Sequence, residues 1–310
     1  MSIVTSQQTS RYYADYSAIE VTFTREVLKA IKLVGKQVFL KCLGYQWPCI
    51  IYSSSMVSAK IIVNVKSPIL EVTRKANNMV SLRFGFQADK NETTAFYVSA
   101  KISSSAPYGA DNPDLNLLTL TFTQRPPDDL INALGELLDA NVNSKKRRDE
   151  RIILTQDVMR KMGLKAKETT LLVQGVPRKG IVRDLCFSGA KVIIMGVAKF
   201  IVDKEVTMHL ELEDNPEGLV IEGKVLRSDP VEGRKDISAF AIEFKESAVP
   251  ISFKLMLNDY LRQTPKRKDS SPALAPRPAP PVQAAPPAGG REAPVHAEQA
   301  PAAGEAPPAP

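Results

Sequence analysis

The chain has 310 residues, enough for two ordinary domains, and 44% of them are hydrophobic, so sizeable cores are available. No stretch approaches the roughly 20 apolar residues needed to cross a bilayer, and the first residues lack the features of a secretion signal, so we expect a cytoplasmic protein without membrane insertion. The formal net charge of +7 favours anionic partners without choosing among nucleotides, nucleic acids and membrane surfaces.

Residues 1–126 are predicted to form a mostly antiparallel β-domain. Thr24 is expected to cap a short helix that carries Val27, Leu28 and Ile31. Segments rich in strand-forming residues follow at 36–43, 47–52, 59–65, 79–86, 94–102 and 117–123. We find no catalytic or phosphate-binding motif in this domain.

A helix is predicted at 127–144, between two β-domains. Two prolines followed by Asp128 and Asp129 are typical of a helix start. Apolar residues then recur with helical spacing, at Leu130, Ile131, Leu134, Leu137 and Leu138. A basic run, 145–148, follows at once, so we expect a linker helix that leads into a basic hinge.

Residues 145–262 are predicted to form a second β-domain. Alternation of apolar and polar residues indicates strands at 169–174, 180–185, 190–195, 206–212, 219–227 and 237–244. The residue types at 215–218 suit a turn. A closing amphipathic helix has one apolar stripe, formed by Val249, Phe253, Met256, Leu257 and Tyr260. Antiparallel strands with a closing helix are typical of a small β-barrel.

The last segment, 263–310, is rich in proline and alanine and almost without large apolar residues. Such a composition buries too little surface to offset the entropy lost on ordering. We therefore predict a disordered tail.

Two short motifs of the second domain stand out. Arg147 and Arg151 form an R-x-x-x-R spacing on a segment expected to be extended, and Asp184 to Gly189 form a turn between two strands. Each is ordinary alone, because basic runs are common and Asp, Ser and Gly suit turns. Together, in this order, they resemble the PilZ family, which has R-x-x-x-R followed by [DN]-x-S-x-x-G. The sequence departs from that pattern at Cys186, where the family usually has serine.

The resemblance covers residues 145–262. The layout of β-domain, linker and PilZ domain also resembles flagellar-brake-type receptors, whose N-terminal domain is itself a PilZ-like barrel. The resemblance thus implies a mainly β fold with two small antiparallel β-barrel domains, joined by a helix and a basic hinge.

The ligand implied by the resemblance is cyclic di-GMP. The guanidinium groups of Arg147 and Arg151 match phosphate oxygens or the O6 and N7 atoms of guanine. The carboxylate of Asp184 suits guanine N1–H and N2–H, and Gly189 would allow close approach to the backbone. Cys186 is a poorer donor than serine, which predicts weaker binding if it contacts the ligand.

The remaining candidate residues have less specific roles. Lys146 and Arg148 would contribute positive charge, and Ser188 would shape the turn. In the family, the residue at the position of Lys146 influences whether one ligand or an intercalated ligand dimer binds, so both stoichiometries stay open. Cys186 is interpreted equally well as a buried filler or a ligand contact. Arg183 and Arg227 could face the ligand, but a general surface position is the preferred interpretation.

The function implied is that of a non-catalytic cyclic di-GMP receptor without a cofactor. Ordering of the hinge over the ligand would change the angle between the domains. That change would alter contacts with a protein effector such as a flagellar motor component, and so regulate motility or virulence.

Other functions are weighed against this one. A degenerate PilZ scaffold that does not bind the nucleotide has only Cys186 in its favour. A nucleic-acid-binding protein fits the net charge, but aromatic residues are only 6% and no stacking platform is evident. An enzyme is not expected, because the two histidines have no plausible catalytic partners and no phosphate loop or metal-ligand cluster is present.

Overall fold

The structure is a computed structural model that describes residues 5–87, 93–109, 112–195, 198–231 and 233–264. These residues form two antiparallel sheets with helices that cover and join them. No helix in these ranges is both long and apolar enough to cross a membrane. Disorder was predicted for residues 263–310. Residues from Pro265 onward lie outside the described residues, and Gln263 is the last residue of the final helix.

The first sheet has eight strands, which are β1 (Val21–Thr22), β2 (Phe39–Cys42), β3 (Tyr45–Pro48), β4 (Ile50–Ser54), β5 (Ser58–Asn64), β6 (Met79–Gln87), β7 (Thr93–Pro107) and β8 (Leu115–Phe122). Their order is β1-β4-β5-β8-β7-β6-β2-β3. The predicted strand at 47–52 is split at Cys49, whose N–H donates to the carbonyl of Val38 at 3.2 Å. Alternate residues such as Leu40, Ile61 and Leu120 are fully buried, as the period-two pattern requires.

Three helices accompany this sheet: α1 (Ser6–Tyr16), α2 (Arg25–Ala30) and α3 (Ile69–Lys75). The predicted cap of α2 is confirmed, because Thr24 Oγ1 accepts a hydrogen bond from the Val27 N–H at 3.3 Å. The helices α1 and α3 were not predicted. Only Thr9 and Tyr12 of α1 are buried, so that helix has no apolar stripe for a pattern to reveal.

The linker helix α4 (Asp128–Lys146) has the predicted start but continues to Lys146, two residues beyond the predicted end. The N–H of Arg147 donates to the Asn143 carbonyl at 2.8 Å, and the N–H of Glu150 donates to the Arg147 carbonyl at 3.0 Å. The R-x-x-x-R segment therefore begins at the helix end and continues as a hydrogen-bonded turn. The expectation of an extended segment is wrong over this turn, because the last helical carbonyls find partners in it.

The second sheet contains β9 (Ile152–Ile153), β10 (Glu168–Val173), β11 (Val176–Cys186), β12 (Gly189–Met195), β13 (Glu205–Leu210), β14 (Leu219–Val231) and β15 (Arg234–Phe244). Its order is β10-β13-β14-β15-β12-β11-β9, and β10 also pairs with β11. That pairing closes a six-stranded barrel, as the sequence predicts, with β9 added outside it. The predicted turn is confirmed by the hydrogen bond from the Gly218 N–H to the Asn215 carbonyl at 2.9 Å.

Two helices belong to the barrel: α5 (Gln156–Met162), which was not predicted, and the predicted closing helix α6 (Ile251–Gln263). Phe253 and Leu257 of α6 are fully buried in the barrel core. Pro250 precedes α6 and supplies no side-chain cap. Instead, Glu26 of α2 accepts a hydrogen bond from the Ile251 N–H at 2.5 Å. A carboxylate from the N-terminal part of the chain thus occupies the N-terminus of α6.

A buried carboxylate joins α1, α4 and α6. Asp139 of α4 accepts hydrogen bonds from Arg11 Nη2 at 3.1 Å, Tyr16 Oη at 3.3 Å, and the side-chain amides of Asn143 and Asn258, both at 3.2 Å. The amide of Asn143 also donates to Asn258 Oδ1 at 2.8 Å. These contacts hold α4 against a helix from each end of the described chain.

Replacing Asp139 with alanine is expected to lower the free energy of unfolding by about 3 kcal/mol, because it leaves buried amide donors without acceptors. Urea titration followed by circular dichroism measures the change. Asp129→Ala is the matched control, since Asp129 is exposed on the first turn of the same helix. Equal unfolding midpoints for both variants would show that the network does not stabilise the helix cluster.

Candidate functional site

The two sequence motifs meet at one side of the barrel. A guanidinium nitrogen of Arg151, Nη1, forms an ion pair with Asp184 Oδ1. The N–H of Ser188 donates to the Arg148 carbonyl at 3.1 Å, and its hydroxyl donates to Asp149 Oδ1 at 2.7 Å. These contacts hold the R-x-x-x-R segment against the turn between β11 and β12. The predicted residues Arg151, Asp184 and Ser188 are therefore close together.

Asp184 is placed by an irregularity in β11. The strand register shifts between Val182 and Asp184, so that Asp184 lies opposite Ile153 on one side and Lys191 on the other. Its side chain is 10% exposed, whereas that of Arg151 is 47% exposed. Burial alone would lower the pKa of Arg151, but the hydrogen bond and the charge of Asp184 outweigh it and raise that pKa.

Arg147 is also paired within its own segment. Its Nε and Nη2 atoms donate to the two carboxylate oxygens of Glu150 at 2.6 and 2.8 Å, and its side chain is only 18% exposed. Lys146 is exposed at the end of α4. Both arginines of the motif therefore contact an acid of the same chain, and an anionic ligand would have to exchange with those acids.

Cys186 and Gly189 lie beneath the turn. Cys186 is 1% exposed, and its thiol donates to the Gly189 carbonyl at 3.3 Å. A Cβ atom on Gly189 would lie 2.2 Å from the carbonyl oxygen of Ile242 in β15. The geometry therefore gives the glycine a role in strand packing and gives Cys186 the position of a buried filler.

The R-x-x-x-R segment borders two clefts. One has a volume of about 300 Å³ and is lined by Arg151 and Asp184 together with Ile153, Arg183, Lys191, Arg227 and Ala241. The other, of about 540 Å³, is lined by Arg148 and Ser188 and by residues that include Lys145, Phe187, Phe244 and Lys254. Within the described ranges, no group of three His, Cys, Asp or Glu side chains is arranged to hold a metal ion.

The smaller cleft contains two arginines for which the sequence favoured a general surface position over a ligand-facing one. Arg183 and Arg227 both line the cleft with Arg151 and Asp184. The position of Arg183 next to Asp184 is a signal that the sequence does contain. Arg227 lies on β14, and only the register of the closed barrel brings it to this cleft.

Known proteins resemble this chain over most of its length. A family model described as the PilZN3 domain matches residues 7–141. A protein of Treponema denticola described as a cyclic di-GMP binding protein is 44% identical over 261 residues, which cover 84% of this chain and 83% of the relative.

Solved structures show weaker likeness. The Borreliella burgdorferi PlzA protein in complex with cyclic di-GMP is 26% identical, with a TM-score of 0.39, over 82% of this chain and 98% of that chain. YcgR from Escherichia coli, also in complex with cyclic di-GMP, is 10% identical, with a TM-score of 0.25, over 76% and 89% of the two chains. Because the Treponema denticola relative is 44% identical across most of both chains, this protein belongs to the PilZ-domain family of cyclic di-GMP receptors.

Proposed function

We propose that this protein is a non-catalytic receptor for cyclic di-GMP, and that the ligand binds to the domain at 145–262. The observation that carries this proposal is the ion pair between Arg151 and Asp184, which joins the two motifs at the edge of a cleft. The description of the Treponema denticola relative as a cyclic di-GMP binding protein supports the same ligand.

The chemistry of the site fits an exchange of partners. A phosphate would replace the carboxylate of Glu150 on the fork of Arg147, with the same bidentate geometry. Guanine N1–H and N2–H would replace the guanidinium of Arg151 on Asp184, and Arg151 would turn to a phosphate or to the O6 and N7 atoms of guanine. Arg147, Arg151 and Asp184 each keep a partner in this exchange, and the displaced carboxylate of Glu150 is 35% exposed and can be hydrated, so binding leaves no charge buried and unpaired.

The burial of Cys186 supports a receptor rather than a degenerate scaffold. The scaffold hypothesis rests on the cysteine at the usual serine position, but Cys186 lies beneath the turn and lines neither cleft. The change from serine therefore alters packing under the site more than the surface that meets a ligand.

We further propose that binding changes the arrangement of the two β-domains. The R-x-x-x-R turn directly follows α4, and α4 is held by hydrogen bonds to α1 and α6. Movement of Arg147 toward a phosphate would displace the C-terminal end of α4. The output would be altered contacts with a protein effector, such as a flagellar motor component, in the cytoplasm, with motility or virulence as the regulated process.

Calorimetric titration with cyclic di-GMP tests the ligand. We expect saturable binding to the unaltered protein, no measurable binding to the Arg147→Ala/Arg151→Ala double variant, and no binding of cyclic di-AMP. Arg160→Ala is the matched control, because Arg160 is an exposed arginine on α5 and lines neither cleft. A folded, unaltered protein that does not bind cyclic di-GMP would overturn the proposal.

A further inference from the structure

The smaller cleft continues across the outside of the barrel as one cross-strand row. Asp184 on β11 lies opposite Lys191 on β12, Lys191 lies opposite Ala241 on β15, and Ala241 lies opposite Arg227 on β14. Residues directly opposite one another share a face of a sheet. Three strand spacings separate the first and last members, about 14 Å along the sheet.

Both ends of this row follow a break in strand register. The register of β11 shifts between Val182 and Asp184, and that of β14 shifts between Val225 and Arg227. Bulges of this kind re-aim the side chains that follow them. Two separate irregularities therefore present a carboxylate and a guanidinium to the same cleft.

The charges of the cleft are unequally matched. Arg151 is paired with Asp184, and Lys191 Nζ donates to Asp229 Oδ2 at 2.6 Å. The hydrogen bond and the charge of Lys191 hold the pKa of Asp229 below its usual value, with smaller contributions from the charges of Arg227 and Arg183.

Two arginines of the cleft have no carboxylate of the described residues within normal hydrogen-bond distance. Arg227 approaches Asp229 only at 4.0 Å and its side chain is 74% exposed. Arg183 is exposed and makes no ion pair with another described residue. Among the described residues that line the cleft, Arg183 and Arg227 are therefore exposed guanidinium groups without a close carboxylate partner, which suits a ligand with two negative charges.

The middle of the row has no large side chain. Ala241 separates Lys191 from Arg227 and lines the cleft, so its methyl group forms a shallow floor between two cationic walls. A planar base or a sugar-phosphate ring can lie against such a floor, whereas a larger residue would fill the space.

Building on the proposed function, we propose that Arg183 and Arg227 bind the phosphates of the cyclic dinucleotide over the floor at Ala241. The ligand then lies on the outer face of the barrel, across β11, β12, β15 and β14, and not only between the R-x-x-x-R turn and Asp184. Lys191 is a positioning residue, because its bond to Asp229 fixes the wall beside Ala241.

Titration of the full-length protein with cyclic di-GMP tests this arrangement. We expect Arg183→Ala and Arg227→Ala each to weaken binding about tenfold, and the double variant about a hundredfold with a reduced dependence on salt. Ala241→Leu should weaken binding at least tenfold by filling the floor. Thermal unfolding should stay unchanged in the arginine variants, since both side chains are exposed.

Lys224→Ala is the matched control, because Lys224 is a cation on the same strand as Arg227 that pairs with Asp203 outside the cleft. Its affinity should equal that of the unaltered protein. If the unaltered protein binds and the Arg183, Arg227 and Ala241 variants bind equally well, the phosphate-binding role is wrong while the receptor function stands. If the folded, unaltered protein does not bind, both proposals fail.

Discussion

Replacing Asp184 with asparagine is expected to weaken cyclic di-GMP binding about a hundredfold, or about 3 kcal/mol, because a nearly buried charge-assisted acceptor is lost. The amide keeps the shape of the side chain but is uncharged and offers one acceptor oxygen, whereas guanine N1–H and N2–H together call for two acceptors. The preference for guanine over adenine ligands should therefore fall together with the affinity. Calorimetry with cyclic di-GMP and cyclic di-AMP measures both quantities.

The same substitution releases Arg151 from its ion pair, and a released arginine contacts a phosphate more readily. Its gain offsets part of the loss, so the hundredfold change is a net effect. Asp203→Asn is the matched control, because Asp203 also forms an ion pair on the barrel but lies away from both clefts. An Asp184 variant with unaltered affinity would exclude this carboxylate from ligand recognition.

Replacing Gly189 with alanine is expected to lower the free energy of unfolding by about 3 kcal/mol, because its Cβ would collide with the backbone of β15. The carbonyl oxygen of Ile242 lies 2.2 Å from the Cβ position, and a backbone atom there cannot rotate away as a side chain would. Urea unfolding measures the loss. Cyclic di-GMP affinity of the folded fraction should change less than tenfold, because Gly189 lines neither cleft.

The control variant Gly175→Ala distinguishes the effect of a steric collision from the effect of backbone strain. Gly175 has φ +81° and nothing within 4 Å of its Cβ position, so alanine there costs only the left-handed conformation, about 1 kcal/mol. A Gly189 variant that is as stable as the unaltered protein, yet binds poorly, would instead assign the glycine to close approach of the ligand, as the sequence motif implies.

Much of the fold is visible in the sequence because strands alternate with a period of two and α4 repeats with helical spacing. The helix α5 was not predicted, although the sequence contains typical start and stop residues for it. Thr155 caps its start, and Gly163, with φ +66°, ends it. The helix α1 had none. Tyr12 is buried against Gly135 of α4, a fit between distant segments that no local pattern encodes.

The candidate site was predictable where the motifs themselves carry it. The resemblance carried by the two motifs implied that Arg151 and Asp184 share one site, and the structure pairs them. The sequence left the burial of Cys186 undecided and gave no sign of the packing role of Gly189, because both depend on how closely β15 approaches the turn. The sequence favoured a surface position for Arg227 for a similar reason, since its place in the cleft follows from a register shift in a strand far along the chain.

The contact between Glu26 and the start of α6 has a consequence for how this protein folds. Because α6 closes the barrel core with Phe253, part of the stability of the barrel is contributed by a residue encoded near the other end of the chain. A barrel fragment made without α2 would begin α6 with an unsatisfied N–H group and a frayed first turn. This hydrogen bond makes the stability of the barrel depend in part on α2, a helix of the N-terminal part of the chain.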